Sequence, residues 1–481
     1  MRFIYGVPVL FVFVTLFSDF MPRIFGAYAD QRVLLIVSLI ALIALGFLRL
    51  KDRRTATSIL ADLWPFIPLV FSFFLSALQH LLDPFYLVEP GFYALYFAAF
   101  GVVGYLIRAE GRTHEAAQTL SVVAGVGCFF YAAITIMVYL FAITDDFSRL
   151  NQIIPWGFVN IRYWSHIATW VVPLLPLTLL IVPWKDHRLW RLAVEFTAAI
   201  WWWILVLSSS RGSMVGLLSG FTVVWLCFGR SALPWVKLSA KFAGYGVIVW
   251  MLLSVVIPSL VFDNIYIPGI KGDASGRLAL WEEAWVMSLQ QFPFGMGPQS
   301  WLTHDILTEN YKASPKFGHP HNMYLMWAAE YGWVSVAGLI VLCGVAWKRF
   351  WPSISAARAG LGTKVMPMVA FTASVTAAMV HAGVSAVFIA PGSMLVGLLV
   401  LAVFWALIRP ESLAHAVIER SRLSIAGGYV FVLLFVLAGV FWFFEVLRYR
   451  QAMADDLVYY QEELSLGNLP RFWLHGNYPR D

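Results

Sequence analysis

A guanidinium that interrupts a long apolar run needs a counter-charge or a route to water, and Arg211 is the sharpest case in this chain. It stands in Ser208-Ser209-Ser210-Arg211-Gly212-Ser213, just after Trp201-Trp202-Trp203. The hydroxyls and the glycine allow an anionic ligand to approach closely, and a guanidinium can grip a phosphate through two parallel hydrogen bonds. The plainer reading is an arginine at a tight turn whose side chain snorkels to lipid headgroups. Arg277 opens the stretch Gly276-Arg277-Leu278-Ala279-Leu280-Trp281-Glu282-Glu283. A cation is unfavourable in a first helical turn, where the helix dipole is positive. Arg277 therefore either pairs with Glu282 or Glu283 or joins the helix start in holding an anion. His319-Pro320-His321-Asn322 precedes the apolar run Met323-Tyr324-Leu325-Met326-Trp327. Pro320 suits a first helical turn, which sets His321 at the end of the following span. An imidazole near a helix N-terminus and near cations is favoured in its neutral form, the state a general base requires. An interfacial histidine bonded to a carbonyl is the bland alternative. His166, His304 and His381 have no comparable context and read as structural.

The elements that must position these residues follow from composition. Apolar residues make up 60% of the 481 and charged residues only 12%, which excludes an ordinary soluble domain of this size. Segments of about 20 apolar residues, the length that spans a bilayer, recur near 3–20, 33–49, 63–80, 91–107, 119–141, 164–182, 193–208, 212–228, 240–260, 322–346, 365–388, 392–408 and 424–444. The expected fold is an all-α polytopic transmembrane bundle of about 12–13 spans with one large helical periplasmic loop. The first segment runs into Ser18-Asp19-Phe20-Met21-Pro22 without a small-residue cleavage site, so it reads as a retained span. Lys and Arg concentrate at the N-terminal end and in alternate turns, among them Arg49, Lys51, Arg53, Arg54, Lys185, Arg188, Lys348 and Arg349. The positive-inside rule makes that side cytoplasmic, and the tail with Arg448, Arg450, Arg471 and Arg480 falls on a side set by the number of true spans. The net charge of +6 then needs no nucleic acid, and no basic and aromatic nucleic-acid module is present. Cys128, Cys227 and Cys343 lie far apart in apolar segments, with no disulfide pattern and no Cys/His spacing of a zinc site.

Four regions result: transmembrane helices over 1–260, the large loop at 261–320, C-terminal spans over 321–445 and a polar amphipathic tail at 446–481. In the loop, Asp273-Ala274-Ser275-Gly276 is a helix start, and Leu278, Trp281, Trp285, Leu289 and Phe292 recur at three- and four-residue spacing. That apolar side is free to lie on the membrane surface or on neighbouring spans. Phe292-Pro293-Phe294-Gly295-Met296-Gly297-Pro298 then turns the chain. A second external stretch near 142–163 holds Asp145, Asp146, Arg149 and Arg162. Clear inverted repeats, the usual sign of a secondary transporter, do not stand out.

Ser210-Arg211-Gly212, Gly276-Arg277 and His321-Asn322 with Gly332 ten residues on, in this order and on one expected side, resemble the O-antigen ligase and O-antigen polymerase superfamily of membrane glycosyltransferases. The resemblance implies a donor glycan on undecaprenyl diphosphate, a hydroxyl acceptor, and no cofactor or required metal. It implies that Arg211 and Arg277 bind the diphosphate while His321 acts as base, with Asn322 and His319 as neighbouring substrate-binding candidates. Arg162, in Asn160-Ile161-Arg162-Tyr163-Trp164, is on equal footing a further donor contact and a headgroup anchor. Ligase, polymerase and protein O-oligosaccharyltransferase share these motifs and differ in acceptor: a lipid A-core sugar, another glycan repeat or a protein side chain. The ligase is the first expectation, placed in the bacterial inner membrane with its active site facing the periplasm. The short tail gives little room for an accessory domain, whereas Ser335, three residues after Gly332, departs from the ligase pattern. A lipid-linked glycan transporter or flippase is the competing class, and it would show paired charged sites at mid-membrane depth. In a cysteine-free background, single cysteines at Ser209, Ser275 and Ser314 are expected to react with a membrane-impermeant thiol reagent from outside, and one at Ser355 is not. Labelling of Ser275 only from the cytoplasm would reverse the orientation.

Overall fold

A computed structural model describes residues 2–24, 26–50, 62–78, 84–145, 147, 149–159, 161–262, 276–359, 365–408, 422–463 and 469–476. Asp146, Asn160, Asp273, Ala274 and Ser275 lie outside the described residues. Every regular element among the described residues is helical, as lipid demands of a chain whose backbone groups must be satisfied internally. The helices run α1 Arg2–Phe17, α2 Ala27–Leu50, α3 Ile67–Ala77, α4 Val88–Ala109, α5 Thr113–Thr144 and α6 Ile161–Val171. Next come α7 Arg188–Leu207, α8 Arg211–Phe228, α9 Leu233–Met251 and the short α10 Ile257–Val261. Between the spans lie α11 Arg277–Gln290, α12 Ser300–Thr303, α13 Glu309–Lys312 and α14 Met323–Glu330. The chain finishes with α15 Trp333–Arg358, α16 Val365–Ala382, α17 Pro391–Ile408 and α18 Arg422–Glu462.

Among the described residues, nine helical runs are long and apolar enough to cross a membrane. One of them, Arg211–Val261, holds α8, α9 and α10; Gly229 at φ 53° ends α8, and Pro234 in the first turn restarts the chain as α9. Two shorter apolar helices, Tyr5–Phe20 and Trp64–Ala77, and a broken apolar run that starts at α6 lie beside these nine. That run is less regular than its hydropathy suggests. After Val171 it continues as two 3-10 turns, Val172–Leu174 and Pro176–Leu179, where Pro173 and Pro176 lack the N–H that an α-helix needs.

The expected span 322–346 is also two pieces. Gly332, at φ 79°, turns the chain between α14 and α15, and a Cβ there would stand 2.1 Å from the Pro293 carbonyl oxygen. The stretch after 445 is not a separate amphipathic tail, since α18 carries it on to Glu462. The chain divides into two compact units. Unit 1 holds Met1–Ala27, Arg112–Asp273 and Pro352–Leu407, and unit 2 holds Tyr28–Gly111, Ala274–Trp351 and Ile408–Asp481.

The loop helix α11 buries a face that the apolar spacing did not mark. Leu280, Glu283, Ala284, Met287 and Ser288 point inward, while Leu278 is 68% and Leu289 50% exposed, with Trp285 and Phe292 exposed beside them. The inward face is held by Leu280, Ala284 and Met287 in a core with Trp301, Tyr311 and Ala329, with Trp281 packed against it. Trp285 meets Trp333, the first residue of α15, edge to face at 5.6 Å. Aromatic side chains flanking the start of a long apolar helix belong at the lipid headgroup level. A spin label at Leu289 in reconstituted protein should therefore be more accessible to dissolved oxygen than to a water-soluble nickel chelate. The reverse ratio would place this face in water.

Candidate functional site

Unit 1 contributes two arginines on neighbouring helix starts. Arg211 is the first residue of α8 and Arg162 the second of α6. The two helices are joined close to those ends: Ser213 Oγ donates to the Ser165 carbonyl at 3.0 Å, and Ser165 Oγ donates to the Arg162 carbonyl at 2.8 Å. Helix N-termini offer unsatisfied N–H groups and positive potential, so side-by-side starts that both carry guanidiniums suit an anion. Arg211 is exposed. Arg162 is half-buried.

A buried polar cluster shapes this end of α8. His381 Nδ1 lies 2.9 Å from Thr169 Oγ1, His166 Nε2 lies 2.7 Å from Ser385 Oγ, and the two imidazoles are 5.0 Å apart. Gly212 is needed here because a Cβ would stand 2.8 Å from the His381 ring. His166 and His381 thus have the structural placement their sequence context suggested. The glycine of the Ser210-Arg211-Gly212 motif serves helix packing next to the arginine.

Unit 2 carries Arg277, His319, His321 and Asn322. Arg277 is the first residue of α11, after Gly276 in the left-handed conformation at φ 66°. The two acidic residues nearby have other partners: Glu282 accepts from Asn310 Nδ2 at 2.7 Å, and Glu283 is wholly buried in a network. Glu283 takes the Leu307 N–H at 2.7 Å and the Thr308 hydroxyl, and its Oε1 lies 2.8 Å from His304 Nε2. Burial alone would raise this carboxyl, but the Leu307 N–H, Thr308 and His304 together hold it below the usual range. His304 is accordingly a structural residue of the loop core, stacked near Trp301 and Tyr311.

The His319-Pro320-His321-Asn322 segment differs from its expected shape. The helix begins at Met323, so Pro320 precedes it rather than occupying its first turn. Asn322 is the N-cap, its Oδ1 accepting from the N–H groups of Tyr324 and Leu325 at 3.1 Å. His321 takes a left-handed backbone at φ 56°, uncommon for a residue with a Cβ. Its N–H donates to His319 Nδ1 at 3.1 Å, the two rings are 4.3 Å apart, and Phe317 meets the His321 ring at 5.1 Å. His319 Nδ1 therefore lacks a proton and acts as acceptor. His321 is buried, at 6% exposed.

Sequence reasoning did not use Glu89, Glu330 or Arg471, which meet in unit 2. Arg471 is 1% exposed, its Nε lies 3.2 Å from both Glu89 oxygens, and its Nη2 donates to Glu330 Oε2. Two acidic residues at the edges of apolar runs were the available signal. Arg471 gave none, because it sits in a polar stretch far along the chain.

These sites lie in a polytopic helical membrane protein, and residues 196–340 match the O-antigen ligase family. The match covers 145 of the 481 residues and supports a likeness to the O-antigen ligase and polymerase superfamily over that stretch. The matched stretch contains Arg211, Arg277, His319, His321, Asn322 and Gly332, while Arg162, Glu89 and Arg471 lie outside it. No curated protein matches the chain.

The Glu283 network generates a stability prediction. Its lowered pKa contributes stability that is complete above the unfolded carboxyl value of about 4.3 and disappears as pH falls through the lower folded value. Glu283→Ala leaves the buried Leu307 N–H and Thr308 hydroxyl unsatisfied, at a cost of about 3 kcal/mol. Amides of residues 280–311 should lose hydrogen-exchange protection in the variant at neutral pH, and in the wild type only in acid. Equal protection in variant and wild type would show the network to be dispensable.

Proposed function

We propose that the protein transfers a glycan from undecaprenyl diphosphate to a hydroxyl of a lipid A-core sugar at the periplasmic face of the bacterial inner membrane, as an O-antigen ligase. The observation that carries this reading is the pairing of residue types with backbone placement inside the matched family stretch. Arg211 and Arg277 each open a helix, and His321 sits buried just before a third. Arg211 and Arg277, with Arg162 in support, hold the diphosphate and stabilise the charge that grows on it as the glycosyl bond breaks. His321 accepts the acceptor hydroxyl's proton while that oxygen bonds to the anomeric carbon. The C–O bond to the diphosphate breaks with its electron pair, so undecaprenyl diphosphate leaves and the anomeric configuration inverts. A helix start disfavours imidazolium, which keeps His321 ready as a base. His319 contributes by accepting the His321 N–H and fixing its backbone. Asn322 caps the helix through its oxygen, and a substrate contact would fall to its amide nitrogen.

Among the described residues no three His, Cys, Asp or Glu side chains gather closely enough to hold a metal ion. Polymerase and protein O-oligosaccharyltransferase activities would use the same residues on another acceptor. Ser335, where the sequence departs from the ligase pattern, is buried with its hydroxyl on the Gly332 carbonyl at 2.7 Å, so it stabilises the turn into α15.

Purified protein given undecaprenyl-diphosphate glycan and lipid A-core should form the joined product, and EDTA should not stop it. Transfer only to a second glycan or to a protein would replace the acceptor, and loss in EDTA restored by one divalent ion would end metal independence. His321→Ala should reduce transfer about 100-fold or more while leaving donor binding largely intact. Arg211→Ala and Arg277→Ala should weaken donor binding as well as turnover. Arg→Lys should rescue only in part, because a point charge lacks the planar fork. Near wild-type transfer by His321→Ala would sink the mechanism.

A further inference from the structure

Glu89, Glu330 and Arg471 form a charge cluster that the proposed chemistry does not use, and all three are buried, with Glu330 0% exposed. Removing Arg471 would strand two carboxylates away from water, so the cluster fixes where its backbones lie. Glu330 is the last residue of α14, the helix that His321 and Asn322 introduce, and its other oxygen accepts the Trp301 N–H at 3.0 Å. Glu89 is near the start of α4, where Tyr449 Oη also lies 3.4 Å from its Oε1. Arg471 Nη1 reaches the Gly318 carbonyl at 3.5 Å.

The peptide around Arg471 is held along its length. Tyr28 Oη donates to the Arg471 carbonyl at 2.6 Å, and Arg32 Nε donates to the Phe472 carbonyl at 2.9 Å. The Arg32 guanidinium lies 4.7 Å from the Phe92 ring and 4.6 Å from that of Phe472. His475 Nε2 lies 2.6 Å from Asp456 Oδ2 on α18. The segment also closes on the loop directly: a Cβ on Gly318 would stand 2.7 Å from the Pro470 carbonyl oxygen and 2.9 Å from that of Leu469. Gly318 immediately precedes His319-Pro320-His321.

We propose that Leu469–Gly476 is a clasp on the loop bearing His319 and His321, with Arg471 as a positioning residue that ties Glu330 at one end of α14 to Gly318 beyond the other. This rests on the reading of His321 as base. A left-handed backbone at a residue with a Cβ persists only where its surroundings over-determine it. The Asn322 cap and the His319 bond fix it from within the segment, and the clasp fixes it from outside. Burial would lower the Arg471 pKa, but Glu330 and Glu89 push it well above the ordinary arginine value, so the clasp keeps its charge at every working pH.

Two mild variants test the clasp without stranding a charge. Arg471→Lys keeps the cation but cannot span both carboxylates and the carbonyl, and Gly318→Ala presses on the Pro470 carbonyl while leaving every charged group in place. Both should remain folded by size-exclusion elution and lower kcat about 10- to 100-fold per folded enzyme, with donor KM within about twofold, since ångström-scale misplacement of a base costs that much. Arg471→Ala should be more severe than Arg471→Lys. A folded Arg471→Lys or Gly318→Ala protein with kcat within about twofold of wild type would overturn the proposal. So would failure of both mild variants to fold, or a donor KM that rises in step with the loss of kcat, since either outcome makes the segment generally structural. His321→Ala in the same assay separates the two ideas. If it transfers normally the assigned base is wrong, and if it is inactive while both mild variants are normal, only the clasp is wrong.

Discussion

A charge taken out of water must be met by its opposite, and in unit 2 that requirement links residues that are hundreds of positions apart. Glu89 and Glu330 would each carry a desolvation cost of several kcal/mol if left alone, a large share of the net stability of an ordinary domain. Arg471 answers both carboxylates at once through its planar fork, and Arg32, held against Phe92 and Phe472, brings a second cation to the same region. The arrangement is therefore one of two acids and two bases rather than a lone ion pair. Such a cluster contributes less to stability than to uniqueness, because few other packings would satisfy all four groups. Its consequence is that the ends of α4 and α14 and the peptide at Leu469–Gly476 share one fixed place.

The loop is built on the same logic at smaller scale. Its polar centre is Glu283, surrounded by His304, Leu307 and Thr308, and its apolar centre is the cluster of Leu280, Ala284, Met287, Trp301 and Tyr311 that extends to Ala329 of α14. Backbone pairs complete it: the N–H of Met296 donates to the Ala329 carbonyl at 2.8 Å and that of Gly297 to the Glu330 carbonyl at 3.0 Å. Gly295 and Gly332 permit this approach, since a Cβ on Gly295 would stand 2.4 Å from the Gly332 nitrogen. The loop helices therefore grip α14 through its carbonyl end. The imidazole of His321 stands at the opposite end, where the N-cap frees the chain to turn.

The class of the fold was legible because hydropathy is a sum over many residues, and no single exception alters it. Arg211 and Arg277 were legible for a related reason: each stands where a cation is locally unfavourable, a conflict visible within a few residues. Breaks inside the apolar runs were harder to read. Gly332 stops a span because Pro293 comes within contact of it, and nothing near Gly332 in sequence announces that carbonyl. The spacing in α11 left open whether its bulky apolar side faces lipid or protein, and the buried face is the other one. Spacing marks the bulky apolar side, but in a membrane protein lipid can cover bulk as well as a core can, so hydrophobicity alone does not tell inside from outside. Arg471 was illegible altogether, because its partners Glu89 and Glu330 are known only from the fold.

The arginines at helix starts are tolerated at a cost, and the size of that cost bears on catalysis. A cation in the first turn of an exposed helix loses about 0.3–1 kcal/mol to the dipole, which is the order expected for exposed Arg211. Arg162, half-buried, adds a desolvation cost of its own. An arriving anion cancels both terms, and one whose charge increases during reaction cancels more of them in the transition state than in the ground state. Interactions that strengthen along the reaction coordinate raise turnover, whereas equal stabilisation of both states would only tighten binding. Arginines set against helix dipoles would thus suit an anion whose charge grows during a reaction better than a static one.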